Sequence, residues 1–152
     1  MIERYTRPEM GRLWSLQNRY QKWLEVEIAV CEVWHEVGEI PPEALKTIKE
    51  KAGFNVKRIE EIEATVKHDV IAFLTSVAEH IGPESRYVHK GLTSSDVTDT
   101  ALCMLMVEAM DIILKDMEAL MEVLKEQAYR YKDTPCIGRS HGVHACLLYT
   151  SD

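Results

Sequence analysis

The residues best equipped for chemistry cluster in Gly138-Arg139-Ser140-His141-Gly142-Val143-His144-Ala145. Glycine lets the backbone approach a bound molecule closely, Arg139 brings a fixed positive charge, Ser140 a hydroxyl and His141 an imidazole that titrates near neutrality. Such a set suits acid–base chemistry on an anion, and it equally describes a glycine-rich turn with a surface histidine. His144 completes an H-x-x-H pair with His141, but no third ligand lies nearby in sequence. No metal is therefore expected, and His144 reads as support for the loop.

Three further clusters combine useful groups. Arg4-Tyr5 places a guanidinium beside a phenol, a pair that either pins a ligand or belongs to a solvated terminus. Lys67-His68-Asp69 strings together a cation, a titratable ring and a carboxylate where a helix should start, and capping alone would account for it. Thr93-Ser94-Ser95-Asp96 puts three hydroxyls at the mouth of another helix, where unpaired N–H groups and the dipole favour an anion such as a carboxylate. An ordinary N-cap would look the same. His89, in Val88-His89-Lys90-Gly91, is placed to face that cleft.

The elements that must position these groups read as helices. Apolar residues at Leu16, Tyr20, Trp23, Leu24, Val30, Trp34 and Val37 follow three-four spacing and predict a helix from about Gln17 to Val37, stopped by Gly38. Pro42 to Ala52 reads as a short helix, since proline is tolerated in a first turn. Asn55 can cap a third through Ile59 and Ile62, and a fourth is expected from Asp69 to the stop at Gly82-Pro83. The longest should run from Thr93-Ser94-Ser95-Asp96 to about Tyr131. It carries two heptad-spaced apolar series, Cys103, Met110, Met117, Leu124 and Val107, Leu114, Met121, Ala128, plus other apolar residues that widen the stripe around most of its circumference. A helix of that kind must be surrounded by other helices, so it is expected to be the central helix of a bundle completed elsewhere. Strand signals are nearly absent, and the expected class is all-α: an N-terminal helical domain leading into the first long helix of a truncated bundle, with a boundary near Asp111.

Length and composition set the outer limits. The 152 residues are 46% hydrophobic and 28% charged, enough for one core of ordinary size, and the net charge is −7. So acidic a chain has no overall electrostatic footprint for nucleic acid, and any affinity for phosphate must be local. Cys31, Cys103, Cys136 and Cys146 form no C-x-x-C pair and read as reduced thiols of a cytoplasmic protein. Arg4, Arg7 and Glu9 interrupt anything resembling a leader, and no apolar run reaches the length of a membrane span.

Taken in order, the blocks Met1-Ile2-Glu3-Arg4-Tyr5, Arg7-Pro8-Glu9-Met10, Trp23-Leu24-Glu25-Val26-Glu27, Lys67-His68-Asp69-Val70, Val88 to Val97 and Gly138 to Ala145 resemble the adenylosuccinate lyase family of the fumarase/aspartase superfamily, in its bacterial form. The resemblance implies a β-elimination that splits adenylosuccinate into AMP and fumarate, and succinyl-aminoimidazole carboxamide ribotide into its amide and fumarate. It implies no cofactor, a nucleotide substrate and a homotetramer in the full-length enzyme. By residue, it makes His141 the general acid and places Arg4 and Tyr5 at the nucleotide end. Lys67, His68, Asp69, His89 and Ser140 line the substrate site, and Thr93 and Ser94 hold the succinyl group. Residues 1–111 then form an N-terminal lyase domain, 112–145 open the central bundle, and 146–152 (Cys146 to Asp152) depart from the family pattern. The family's catalytic serine loop has no counterpart here, so the chain alone is expected to be an inactive fragment. The other readings are a different fumarate-releasing lyase of the superfamily (argininosuccinate lyase, fumarase or aspartase) and a noncatalytic helical interaction module.

Overall fold

The computed structural model describes residues 2–148. Six α-helices carry most of the chain: α1 (Pro8–Leu13), α2 (Leu16–Glu36), α3 (Pro42–Lys51), α4 (Val56–Val66), α5 (Asp69–Ile81) and α6 (Ser94–Tyr131). Short 3-10 turns lie at Glu3–Tyr5 and Pro83–Tyr87, and two strands follow, β1 (Cys136–Ser140) and β2 (Val143–Leu148). The fold is thus helical, as the apolar periodicity requires.

Local chemistry sets the helix ends. Ser15 caps α2, its hydroxyl accepting from the Asn18 amide at 3.2 Å, while the Asn18 side chain donates to the Leu13 carbonyl at 2.8 Å and closes the end of α1. Asn55 caps α4 by accepting from Arg58 N at 3.1 Å, and its own amide donates to the Ser76 hydroxyl at 3.2 Å. That bond satisfies a hydroxyl that is wholly buried in α5. At the start of α5 the sequence suggests Asp69 as the acceptor. In the structure Asp69 accepts from the adjacent Val70 N, at 2.8 Å, and the cap proper is His68, whose Nδ1 accepts from Ile71 N at 3.4 Å.

The chain divides into two compact units, Met1–Met110 and Asp111–Asp152. The core of the first is aromatic at its centre. Tyr20 and Trp23 of α2 meet edge to face with centroids 5.2 Å apart, Phe73 of α5 stacks on Tyr20 at 5.7 Å, and Phe73 meets Trp23 edge-on at 5.4 Å. Pairs of this kind add about 0.5–1.5 kcal/mol each beyond the area they bury. Ile48 of α3, Ile59 of α4, Val70 and Val77 of α5 and Val97 of α6 close around them, all fully or almost fully buried. Only Val97, Ala101, Leu105 and Ala109 of α6 are buried, a single stripe at four-residue spacing. Leu102, Met106, Val107, Met110, Ile113, Leu114, Met117, Met121 and Leu124 are exposed.

The second unit holds the rest of α6 and an antiparallel β-hairpin where the sequence suggests only a loop. Two features explain the hairpin. His141 and Gly142 both have positive φ, 50° and 77°, the backbone signature of a tight two-residue hairpin turn whose twist suits the flanking strands. In addition Gly138 pairs with Cys146 and Arg139 with His144, so β2 has one residue more than β1 across this step. A bulge of this kind breaks strict two-residue alternation, which hides the strands from a reading of apolar periodicity.

Candidate active site

The candidate residues of the first unit are carried by helix ends and the turns between them. Thr93 precedes α6, and its amide donates to the Asp96 carboxylate at 2.8 Å while the Asp96 amide donates back to the Thr93 carbonyl at 3.1 Å. Asp96 therefore performs the capping. Among the described residues no hydrogen bond engages the Thr93 or Ser94 hydroxyl, and both stand at a helix end, where unpaired N–H groups favour anions.

Lys67 ends α4 in the left-handed conformation, with φ 56°, and its amide donates to the Glu63 carbonyl at 2.9 Å. With His68 and Asp69 it forms an exposed corner between α4 and α5. Because His68 Nδ1 accepts the capping bond, its Nε2 is the nitrogen turned away from the backbone. Asp69 also lines a cleft of about 330 Å³ together with Trp14, Arg19, Trp23, Thr98, Asp99, Leu102 and Leu105. The structure thus brings Asp69 to the side of α6 one turn beyond Ser94, while Lys67 lines a separate depression with Glu60, Glu63 and Ala64. Arg4 and Tyr5 pack on each other, the guanidinium 4.7 Å from the ring centroid, and both are exposed.

His89 is held differently. Its backbone is left-handed, with φ 66°. Its amide donates to Glu27 Oε2 at 2.9 Å, and its ring Nδ1 lies 2.6 Å from Glu27 Oε1. Glu27 is a buried residue of α2, 1% exposed. Burial pushes its carboxyl above the ordinary range, and the bonds from His89 oppose that rise.

His141 belongs to the second unit, at the exposed tip of the β-hairpin. Histidine is one of the few non-glycine residues found at positive φ, and a turn tip leaves its ring open to an incoming molecule. Arg139 and His144 are cross-strand partners on the two strands behind it. The backbone of Ser140 pairs with Val143, and its side chain lies outside the described residues.

Two functional candidates emerge only from the structure. One is Glu27, whose signal in the sequence was a carboxylate at the four-residue register of Trp23 and Cys31 on an otherwise apolar face. The other is Arg19, whose guanidinium stacks on Tyr20 and Trp23 at 4.9 and 5.3 Å and donates to the Tyr20 hydroxyl at 3.2 Å. Its Nε is buried and has no hydrogen-bond partner among the described residues. Among the described residues no group of three His, Cys, Asp or Glu is arranged to hold a metal ion, and no helix is long and apolar enough to cross a membrane.

The chain belongs to the lyase family, whose model matches residues 3–148. Within it, the chain is 56% identical over 148 residues to the adenylosuccinate lyase of Aquifex aeolicus (strain VF5) and 53% identical over 145 residues to that of Bacillus subtilis (strain 168). Each match covers 95% of this chain and 34% of the relative, so the chain spans about a third of the length of these proteins. The crystal structure of a fumarate lyase from Mesorhizobium sp. BNC1 superposes with a TM-score of 0.84 at 25% identity, over 91% of this chain and 34% of that one.

Proposed function

We propose that this chain contributes the substrate-binding corner and the general acid of an adenylosuccinate lyase, an enzyme of purine nucleotide biosynthesis that releases fumarate from adenylosuccinate and from succinyl-aminoimidazole carboxamide ribotide. The observation that carries the reading is the identity of more than half of the aligned residues to two adenylosuccinate lyases along 95% of the chain. The chemistry is an elimination. A base takes a proton from the carbon beside a carboxylate, that electron pair becomes the new double bond of fumarate, and the C–N bond breaks as an acid protonates the departing nitrogen. His141 is the acid, and the base is assigned to no residue of this chain. Thr93 and Ser94 hold the succinyl carboxylates, where fixed donors at a helix end stabilise the charge that develops with the carbanion. Arg4 and Tyr5 take the nucleotide end, Lys67, His68, Asp69 and His89 line the substrate site, and Ser140 is a further substrate-binding residue.

The same reading places the enzyme in the cytoplasm as a homotetramer. Its support is the free thiols Cys31, Cys103 and Cys136 and the wide apolar face of α6, which needs covering. The test is a graft in which residues 1–148 replace the matching third of the Bacillus subtilis enzyme, assayed for fumarate by ultraviolet absorbance. Turnover of adenylosuccinate is expected. A folded, assembled graft that acts on argininosuccinate, malate or aspartate and ignores the nucleotide would overturn the assignment.

A further inference from the structure

Glu27 is a carboxylate inside an apolar helix face. It lies one turn from Trp23 on one side and one turn from Cys31 on the other, and only 1% of its surface is open to solvent. An ionisable group in such a place is costly unless its oxygens are hydrogen-bonded. Both oxygens are engaged by a single residue 62 positions away: Oε2 accepts the His89 amide at 2.9 Å and Oε1 meets the His89 ring at Nδ1, 2.6 Å away. A backbone N–H can only donate, so Oε2 is an acceptor, and the short Oε1–Nδ1 distance is that of a charge-assisted bond. The left-handed backbone at His89, φ 66°, lets the amide and ring of one residue reach the same carboxylate. A side-chain-bearing residue adopts that conformation only when its surroundings hold it there.

The rest of the loop is fastened to the same face of α2. The Trp34 indole donates to the Lys90 carbonyl at 2.8 Å, the Lys90 ammonium lies 4.8 Å over the Trp34 ring, and Lys90 pairs with Glu39 at 2.6 Å. The Cys31 thiol faces the Tyr87 carbonyl at 3.8 Å. Glu27, Cys31 and Trp34 follow four-three spacing, one stripe of one helix. That stripe fixes the segment which leads directly into Thr93 and Ser94.

We propose that Glu27 is a positioning residue for His89: its buried carboxylate takes the Nδ1–H side of the ring, so Nε2 is the nitrogen that His89 offers to a bound molecule. A fifth of the His89 side chain is exposed, 21% against 1% for Glu27, so the ring is reachable from solvent while its partner is not. The inference rests on the lyase reading only for what that molecule is. Glutamine at position 27 cannot imitate the arrangement, because its amide has one acceptor oxygen and would turn N–H groups toward one of the two His89 donors.

The experiment labels the histidines of the 152-residue chain with nitrogen-15 and reads each ring by long-range proton–nitrogen spectra, with His89→Gln providing the assignment. The expected result is a proton on His89 Nδ1 with a strongly downfield, slowly exchanging resonance that disappears in Glu27→Gln while the other histidines keep their signals. A wild-type His89 that carries its only ring proton on Nε2, or an Nδ1 resonance that survives Glu27→Gln, overturns the proposal. The wild-type measurement needs no variant to fold. In the graft enzyme, Glu27→Gln should lower kcat/KM about tenfold without a matching loss of thermal stability, the lower end of what losing an orienting partner costs a metal-bound histidine. An Nδ1 proton lost in Glu27→Gln supports the proposal even where a folded, assembled graft releases no fumarate, and that second result sinks the adenylosuccinate lyase reading alone.

Discussion

Gly91→Ala tests whether the His89 loop is held against α2 by contact or merely lies beside it. Gly91 has φ 77°, a left-handed conformation in which an added Cβ costs about 1–2 kcal/mol. That Cβ would also stand 3.2 Å from Trp34 Cζ2. The indole cannot easily withdraw, because Nε1 is bonded to the Lys90 carbonyl at 2.8 Å and the Lys90 ammonium covers the ring. Overpacking against a fixed group costs about 1–3 kcal/mol, so the two effects together amount to about 2–5 kcal/mol. This is a large share of a typical domain stability of about 5–15 kcal/mol. Gly38 is the control: its φ is 85°, and a Cβ there would meet nothing within 4 Å. Gly38→Ala should therefore cost only the backbone share, about 1–2 kcal/mol. Urea unfolding followed by circular dichroism measures both variants, and Gly91→Ala combined with Trp34→Phe should recover most of the difference. Equal destabilisation by Gly91→Ala and Gly38→Ala would refute the contact between loop and helix.

The other expectations follow from the same structure. In the graft enzyme, His141→Ala should lower kcat by about a hundred- to ten-thousandfold while substrate binding survives, as the loss of one acid–base group requires; a near-normal kcat on adenylosuccinate would remove His141 from the mechanism. There too, Ser94→Ala should weaken inhibition by fumarate and Arg4→Ala inhibition by AMP, each more than the other, and equal losses for both ligands would mean that these residues act through folding. Burial, with Glu27 and Glu32 nearby, pushes the Cys31 thiol up to about 11, so at mildly alkaline pH iodoacetamide should label the exposed Cys103 and Cys136 long before Cys31. Because the folded value lies above the unfolded one, the thiol's contribution to stability is complete at neutral pH and falls as pH rises from about 9 toward 11, a slope that Cys31→Ala should lack. Finally, the purified 152-residue chain should self-associate in size-exclusion chromatography with light scattering, since Met110, Leu114, Met117, Met121 and Leu124 of α6 are all exposed; a stable monomer would count against the need for a covered bundle.

The helices were legible because each carried two independent signals. α2 has a serine before it, a glycine after it and an apolar stripe between, and α3, α4 and α5 have a proline, an asparagine or a glycine at their ends. The structure places these helices within a residue or two of where those signals predict them. α1 was not legible, because six residues containing Gly11 are too short to show a period. The hairpin escaped for a different reason. A strand is recognised by alternation, and the bulge between Gly138 and Arg139 shifts the alternation just where two glycines and two histidines already dilute the apolar signal. The residues of the tip were still picked out, since chemistry-bearing side chains are visible in sequence whatever backbone carries them.

Glu27 marks the deeper limit. The four-residue register of Trp23 and Cys31 puts Glu27 on the apolar face, but nothing local indicates that a histidine 62 residues away will satisfy it. The helix that supplies Tyr20 and Trp23 to the aromatic core presents Glu27, Cys31 and Trp34 further along to the loop carrying His89 and Lys90. The cost of burying Glu27 is offset only when that loop is in place, so the bond ties the core to the candidate site. Local rules fail there for the reason that makes the position informative: a buried carboxylate weakens the core unless its partner arrives, and its partner is a residue proposed to bind substrate.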